Sequence, residues 1–139
     1  MNKIQHVQLL KLPKFEDIRG NLTFIESESQ IPFNINRIYW IYDVPGGQAR
    51  GGHAFIEQHE VIVAISGSFD VLVDDGKEQQ IFSLKRSYYG LYIPAGLWRK
   101  MQNFSTNSLA LVLSSTYYCK SDYIYDYQEF LNLISKNEH

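Results

Sequence analysis

The chain carries a single cysteine, Cys119, in 139 residues. One thiol excludes an intrachain disulfide framework and fits a reducing cytoplasm. No apolar run approaches the roughly 18 residues that a membrane-spanning helix needs. The N-terminal stretch MNKIQHVQLLKL has no long apolar segment followed by small residues, so no signal peptide is expected. Neither sign of charge is in excess. Thirteen Lys and Arg stand against 15 Asp and Glu, and a net charge of -2 leaves no basic field to gather nucleic acid. Internal repeats, linkers and low-complexity stretches are also lacking, and the length fits one domain, expected to run over residues 1–139.

What the chain does have is aromatic and β-branched residues. It is 45% apolar and 14% aromatic, with ten Tyr and eight Phe, a composition that favours strands or an aromatic-lined pocket. Short strand signals follow one another at residues 20–28, 37–44, 61–65, 69–73, 80–84, 88–93 and 109–113. Pro45-Gly46-Gly47, Ser66-Gly67-Ser68 and the hairpin signal Asp74-Asp75-Gly76 punctuate them. Strands at this spacing, joined by tight turns, predict a sandwich or barrel rather than βαβ units. Residues 126–136 differ: the apolar positions 127, 130, 131, 133 and 134 have helical spacing. The expected fold is therefore all-β, a jelly-roll barrel closed by one short C-terminal α-helix.

Two segments carry the candidate chemistry, RGGHAFIEQHEVIVAISG (50–67) and GLYIPAGLWRKMQN (90–103). Their spacing resembles the two strand motifs of the cupins. In a metal-binding cupin the first would supply His-x-His and a Glu, and the second a further His. Here the four places hold His53, Phe55, Glu60 and Arg99. Only His53 and Glu60 could ligate a metal, a poor donor set, so metal-free acid/base chemistry is expected, with no cofactor. An imidazole with an ordinary pKa near 6.5 takes and returns protons at neutral pH, which makes His53 the candidate base. Phe55 shares its strand face, two residues on, and can wall a pocket but carry no proton. Glu60 lies five positions further, so strict alternation would turn it outward; a bulge or turn would bring it in as a second acid/base group, with His59 then pointing out. Arg99, Arg37, Arg50 and Arg19 lie near expected strand ends, and four guanidinium groups beside aromatic strands suit a diphosphate and a base. Tyr39 and Tyr42 are three apart on one strand, so only one faces inward; Tyr39 shares its side with Arg37.

Longer stretches extend the likeness: DIRGNL (17–22), IPFNINRIYWIYDV (31–44), ARGGHA (49–54), ISGSFDVLVDDG (65–76), GLYIPAGLWRKMQNFS (90–105) and the tyrosine-rich LSSTYYCKSDYIYDYQEF (113–130). On these, running nearly end to end, the chain resembles the small WxcM-like cupin sugar 3,4-ketoisomerases. The resemblance implies conversion of a dTDP-4-keto-6-deoxyhexose into its 3-keto isomer, in nucleotide-sugar synthesis for surface glycans. It implies a cytoplasmic homodimer with crossed N-terminal strands and no nucleic-acid or membrane partner. The family pattern places a second His where this chain has Phe55. By this reading His53 is the base and Tyr39 an oxygen-side hydrogen-bond partner or proton shuttle. Glu60 or a water replaces the missing His. Arg50 and Arg37, with Arg99 behind them, hold the diphosphate, and Phe55 and Trp98 exclude water. Two alternatives remain open: a non-catalytic nucleotide-sugar-binding cupin, which Phe55 would explain, and a related keto-sugar epimerase.

Overall fold

A computed structural model describes residues 2–137. The strands are β1 (Gln8–Lys11), β2 (Lys14–Phe15), β3 (Leu22–Thr23), β4 (Arg37–Tyr42), β5 (Arg50–Phe55) and β6 (Glu60–Ser66). They continue with β7 (Phe69–Asp74), β8 (Gln79–Leu84), β9 (Tyr89–Ile93), β10 (Trp98–Gln102), β11 (Leu109–Ser114) and β12 (Tyr123–Ile124), and helix α1 (Tyr127–Asn137) closes the chain. Two five-stranded sheets form, ordered β1-β9-β6-β11-β4 and β12-β5-β10-β7-β8, beside a small β2-β3 hairpin. All paired strands are antiparallel. The first sheet contributes Ile62, Ala64, Leu91, Ile93, Ala110 and Val112 to the central core, and the second Phe69, Val71, Val73, Leu84 and Met101. This is the all-β jelly-roll barrel that the strand spacing predicts.

Alternation explains most of the layering. On β4, Arg37, Tyr39 and Ile41 turn toward the interior while Ile38, Trp40 and Tyr42 are exposed. The run Val61-Ile62-Val63-Ala64 does not alternate in hydrophobicity because both faces of β6 are covered. Ile62 and Ala64 enter the barrel core. Val61 and Val63 meet a second cluster with Leu12, Ile31, Phe33 and Leu113.

The strand expected over 20–28 is reduced to Leu22–Thr23, paired with Lys14–Phe15. Side chains there compete with the ladder for backbone groups. Glu26 N–H donates to Gln30 Oε1 at 2.6 Å, Ile35 N–H donates to Ser27 Oγ at 3.0 Å, and Glu28 takes a positive φ of 57°. The chain therefore turns, and uses Ile31 and Phe33 to cover the first sheet.

The expected C-terminal helix is present, with Asp126 acting as its cap: the Asp126 Oδ1 accepts from Gln128 N–H at 3.0 Å. Phe130 and Ile134, four apart, bury one face against Ala54 and Ile124, with Trp98 packed alongside. Asp74 joins the helix to the barrel, accepting from Tyr127 Oη at 2.6 Å and from Gln79 Nε2 at 2.8 Å. Phe130 is fully buried, so Phe130→Ala should cost about 3–5 kcal/mol. Urea unfolding followed by circular dichroism measures this, and a loss below about 1 kcal/mol would mean that the helix does not brace the second sheet.

Candidate active site

A cavity of about 400 Å³ is lined by Tyr39, Trp40, Ile41, Arg50, Gly51, Gly52, His53, Arg99, Tyr123 and Tyr125. Local sequence explains how β5 enters it. Gly51 has φ +74°, in the region that favours glycine, and a Cβ there would collide with Arg99 Nη1. The β5–β10 register shifts between Arg99 and Met101, so that Arg99 lies opposite His53 while Met101 lies opposite Arg50.

After Phe55 the chain leaves the sheet for a turn. Asp122 organises that turn, its carboxylate accepting from Glu57 N–H at 2.7 Å and Gln58 N–H at 3.1 Å. The turn resets the alternation and carries Glu60 inward, as the cupin-like spacing requires. His59 is not left to solvent. Its Nδ1 accepts from Ala95 N–H at 3.1 Å and its ring stacks on Tyr92.

Glu60 and Arg99 do something other than the roles expected of them. Arg99 Nε donates to Glu60 Oε2 and Arg99 Nη2 to Glu60 Oε1, both at 2.9 Å, a two-point ion pair with both side chains out of water. Arg99 Nη1 donates to Gly51 O at 3.2 Å, and Nη2 also donates to Tyr39 Oη at 3.1 Å. Both oxygens of the Glu60 carboxylate are thus taken by one cation. Arg99 is committed to protein acceptors rather than free for a diphosphate. The same geometry answers the metal question: Phe55 and Arg99 cannot ligate, and the Glu60 oxygens are taken. The residues at the cupin metal places do not fit a metal. Among the described residues, no group of three His, Cys, Asp or Glu could hold one elsewhere.

His53 is packed by rings. Phe55 meets it edge-on at 4.7 Å, Tyr123 at 5.2 Å and Tyr125 at 6.0 Å. Its Nδ1 is buried without a hydrogen-bond partner, so no carboxylate orients the imidazole. Burial, then the Arg99 charge, then the Arg50 charge push its pKa from 6.5 down to about 2. The imidazole is therefore neutral across the neutral range. The Tyr39 phenol moves the other way, up to about 12, raised first by burial and then by the Glu60 charge, against the opposing Arg99 charge.

The remaining expected residues divide. Arg50 is exposed and lines the cavity. Arg37 lies just behind, donating from Nη2 to Gln58 Oε1 at 3.0 Å and Tyr123 Oη at 3.1 Å, with its guanidinium over the Tyr39 ring. Arg19 lies on the β2–β3 turn, largely exposed and paired with Asp17 at 2.9 Å, outside this chain's cavity. Trp98 is also outside it. Because Arg99 faces in, its neighbour Trp98 faces out, where it meets Tyr127 and Phe130 under the helix. Tyr123 and Tyr125, stacked at 5.4 Å, line the cavity but were not singled out from sequence. The tyrosine-rich segment was the signal; what it lacked was the pairing of β12 with β5 that sets Tyr123 opposite Phe55.

Fold and site together define a small cupin-type barrel with a neutral, ring-packed histidine and a tyrosine in one pocket. A model of the "FdtA: WxcM-like, C-terminal" family matches residues 5–135, and the chain belongs to that family. It is 38% identical over 129 residues to the TDP-4-oxo-6-deoxy-alpha-D-glucose-3,4-oxoisomerase of Aneurinibacillus thermoaerophilus, covering 93% of each chain. It superimposes on the sugar 3,4-ketoisomerase QdtA of Thermoanaerobacterium thermosaccharolyticum, solved with TDP, with TM-score 0.94 and 34% identity, covering 97% of this chain and 98% of that one. A His-to-Asn variant of QdtA was solved with TDP-4-keto-6-deoxyglucose. The TDP-quinovose 3,4-ketoisomerase WlaRB of Campylobacter jejuni aligns with TM-score 0.88 and 39% identity, covering 93% of this chain and 99% of that one.

The depressed His53 pKa has a defined consequence for stability. The unfolded chain takes up this proton near pH 6.5 and the folded chain near pH 2, so the folded state loses stability as pH falls from 6.5 toward 2. His53→Asn should reduce that acid-side loss, measured as the change in Tm between about pH 7 and pH 5. An unchanged slope, or an imidazole NMR titration of His53 centred near 6.5, would show that it is not desolvated.

Proposed function

We infer that the protein is a metal-free 3,4-ketoisomerase that converts a TDP-linked 4-keto-6-deoxyhexose into its 3-keto isomer. The observation carrying this reading is the convergence of a neutral His53 and a protonated Tyr39 on one cavity, in a chain of this family. Moving a ketone from C4 to C3 requires removal of the C3 hydrogen, which the neighbouring carbonyl acidifies. Neutral His53 is the base for that step. Tyr39 donates to O4 as negative charge develops there, and the resulting enediol carries hydroxyls on both oxygens. Collapse to the 3-ketone returns the O3 proton through Tyr39, while the imidazolium delivers its proton to C4. The net change is one hydrogen from C3 to C4 and one from O3 to O4. With Glu60 tied to Arg99, His53 serves both carbons, which are adjacent. Phe55, in the place of the family's second His, does not line the cavity itself but packs edge-on against the imidazole from behind.

Arg50, at the cavity rim, is the cation best placed for the diphosphate. Holding the nucleotide remote from the reacting carbons orients the sugar. The thymine base is supported by the TDP-linked ligands of the relatives. No helix among the described residues is long and apolar enough to cross a membrane. A cytoplasmic enzyme is consistent with that, with one cysteine and with a nucleotide-linked substrate.

The enzyme works as a homodimer whose N-terminal segments cross. Support comes from the outer side of the first sheet, where Ile38, Trp40 and Ile65 are exposed. There a cavity of about 670 Å³ opens beside the β2–β3 hairpin, which itself exposes Phe15, Ile18 and Leu22. Light scattering should give twice the 16.2 kDa of one chain, and Ile38→Glu should lower it; a monomeric wild type would overturn the dimer.

The isomerase reading is tested by incubation with TDP-4-keto-6-deoxyglucose in heavy water, followed by proton NMR. A 3-keto product is expected, with C4 bearing either the hydrogen that His53 carries from C3 or deuterium where the imidazolium exchanges with solvent before it is delivered, and with at least about 100-fold slower turnover in His53→Asn. Binding of TDP with neither product nor exchange at C3 would instead make the chain a nucleotide-sugar-binding cupin.

A further inference from the structure

The chain of contacts from Glu60 through Arg99 to Tyr39 fixes more than the barrel floor. A guanidinium has only donors, so the 3.1 Å contact between Arg99 Nη2 and Tyr39 Oη has one possible direction, with the phenol oxygen accepting. Among the described residues no protein acceptor takes the Tyr39 hydroxyl proton, and the side chain lines the cavity. The donor of that hydroxyl is therefore left for whatever occupies the pocket. Arg99 itself cannot swing away, because Glu60 holds two of its nitrogens and Gly51 O a third.

We propose that the Glu60–Arg99 pair is a positioning device for Tyr39, filling the acceptor side of its hydroxyl so that it meets the sugar as a hydrogen-bond donor. The proposal rests on the isomerase reading for its catalytic meaning, but not for its geometry. It also gives Glu60 a task that ion pairing alone does not. A lone buried Arg99 beside a phenol would favour the tyrosinate, which cannot donate. The Glu60 carboxylate offsets that charge, and with burial keeps the phenol protonated. The other groups facing Tyr39 are Arg37 over its ring and Tyr123, while His53 and Arg50 share the cavity. Of these, Arg37 acts in the same direction as Arg99, so Glu60 is the carboxylate that opposes them.

Three variants test this, with kcat, KM, Tm and tyrosine ¹³Cζ NMR as readouts, Tyr39 being identified by the resonance lost in Tyr39→Phe. Glu60→Gln keeps the shape and removes the charge. Its Tyr39 resonance should titrate at lower pH than in wild type, and the alkaline limb of kcat should move with it. Glu60→Leu with Arg99→Met replaces the ion pair by apolar volume and should leave Tm near that of wild type. Its kcat should nevertheless fall about 10- to 100-fold with KM within about twofold, the pattern of an interaction made in the transition state. Arg99→Lys keeps a cation but loses the fork, and supplies the same comparison of kcat with KM if the double variant does not fold. Recovery of wild-type kcat together with wild-type Tm in the double variant would overturn the proposal, leaving the pair a merely structural one. So would an unchanged Tyr39 titration in Glu60→Gln. If wild type turns over no 4-keto sugar, the isomerase reading fails while the NMR titration still decides how Tyr39 is held.

Discussion

Four strands meet on one guanidinium. Arg99 on β10 is bonded to Glu60 on β6, Tyr39 on β4 and a carbonyl of β5, so that two strands of each sheet are joined at the floor of the pocket. Removing two charges from water is costly, and such a pair adds little net stability compared with well-packed apolar residues. What it imposes is geometry. Loss of one partner would strand a buried charge, at a cost of about 3–5 kcal/mol. The constraint reaches outward as well: Gly51 must be glycine because Arg99 fills the space of its Cβ, and the β5–β10 bulge sets where that contact falls.

The pair also decides what chemistry the barrel can support. Two places that could hold metal ligands in other cupins are occupied by an ion pair, and a third by Phe55. The histidine of the pocket, His53, has no hydrogen-bond partner at its buried Nδ1. Rings on three sides hold it instead, and the same rings, with the two nearby arginine charges, keep it neutral. A neutral imidazole and a protonated phenol share one small cavity, the starting state that the proposed enediol chemistry needs. The structure reaches it by burial and charge placement rather than by unusual residues.

Particular residues show how far the sequence could be read. That His53 and Tyr39 face the cavity was legible because period-two alternation and a Gly-rich turn are local signals. The inward turn of Glu60 was legible from spacing, but its partner was not. Residues 60 and 99 are 39 apart, and nothing local distinguishes a phosphate-binding arginine from one already paired. Trp98, expected from the family resemblance to exclude water from the pocket, faces out because Arg99 next to it takes the inner face. Arg19 shares with the other arginines its charge and a place near an expected strand end, yet the hairpin carries it away from this chain's own cavity.

The sequence by itself determined the strand-rich barrel, the terminal helix, the family, and which residues stand at the cupin metal places. Each follows from local periodicity, turn chemistry or the identity of residues at fixed spacing. Only the tertiary structure decided that Arg99 serves Glu60 and Tyr39 rather than a phosphate, that Trp98 braces the helix, and that Tyr123 and Tyr125 wall the pocket. Those outcomes depend on which sheet faces meet and on how β12 pairs with β5. Contacts across sheets are set by packing between segments far apart in the chain, and local sequence carries no record of them.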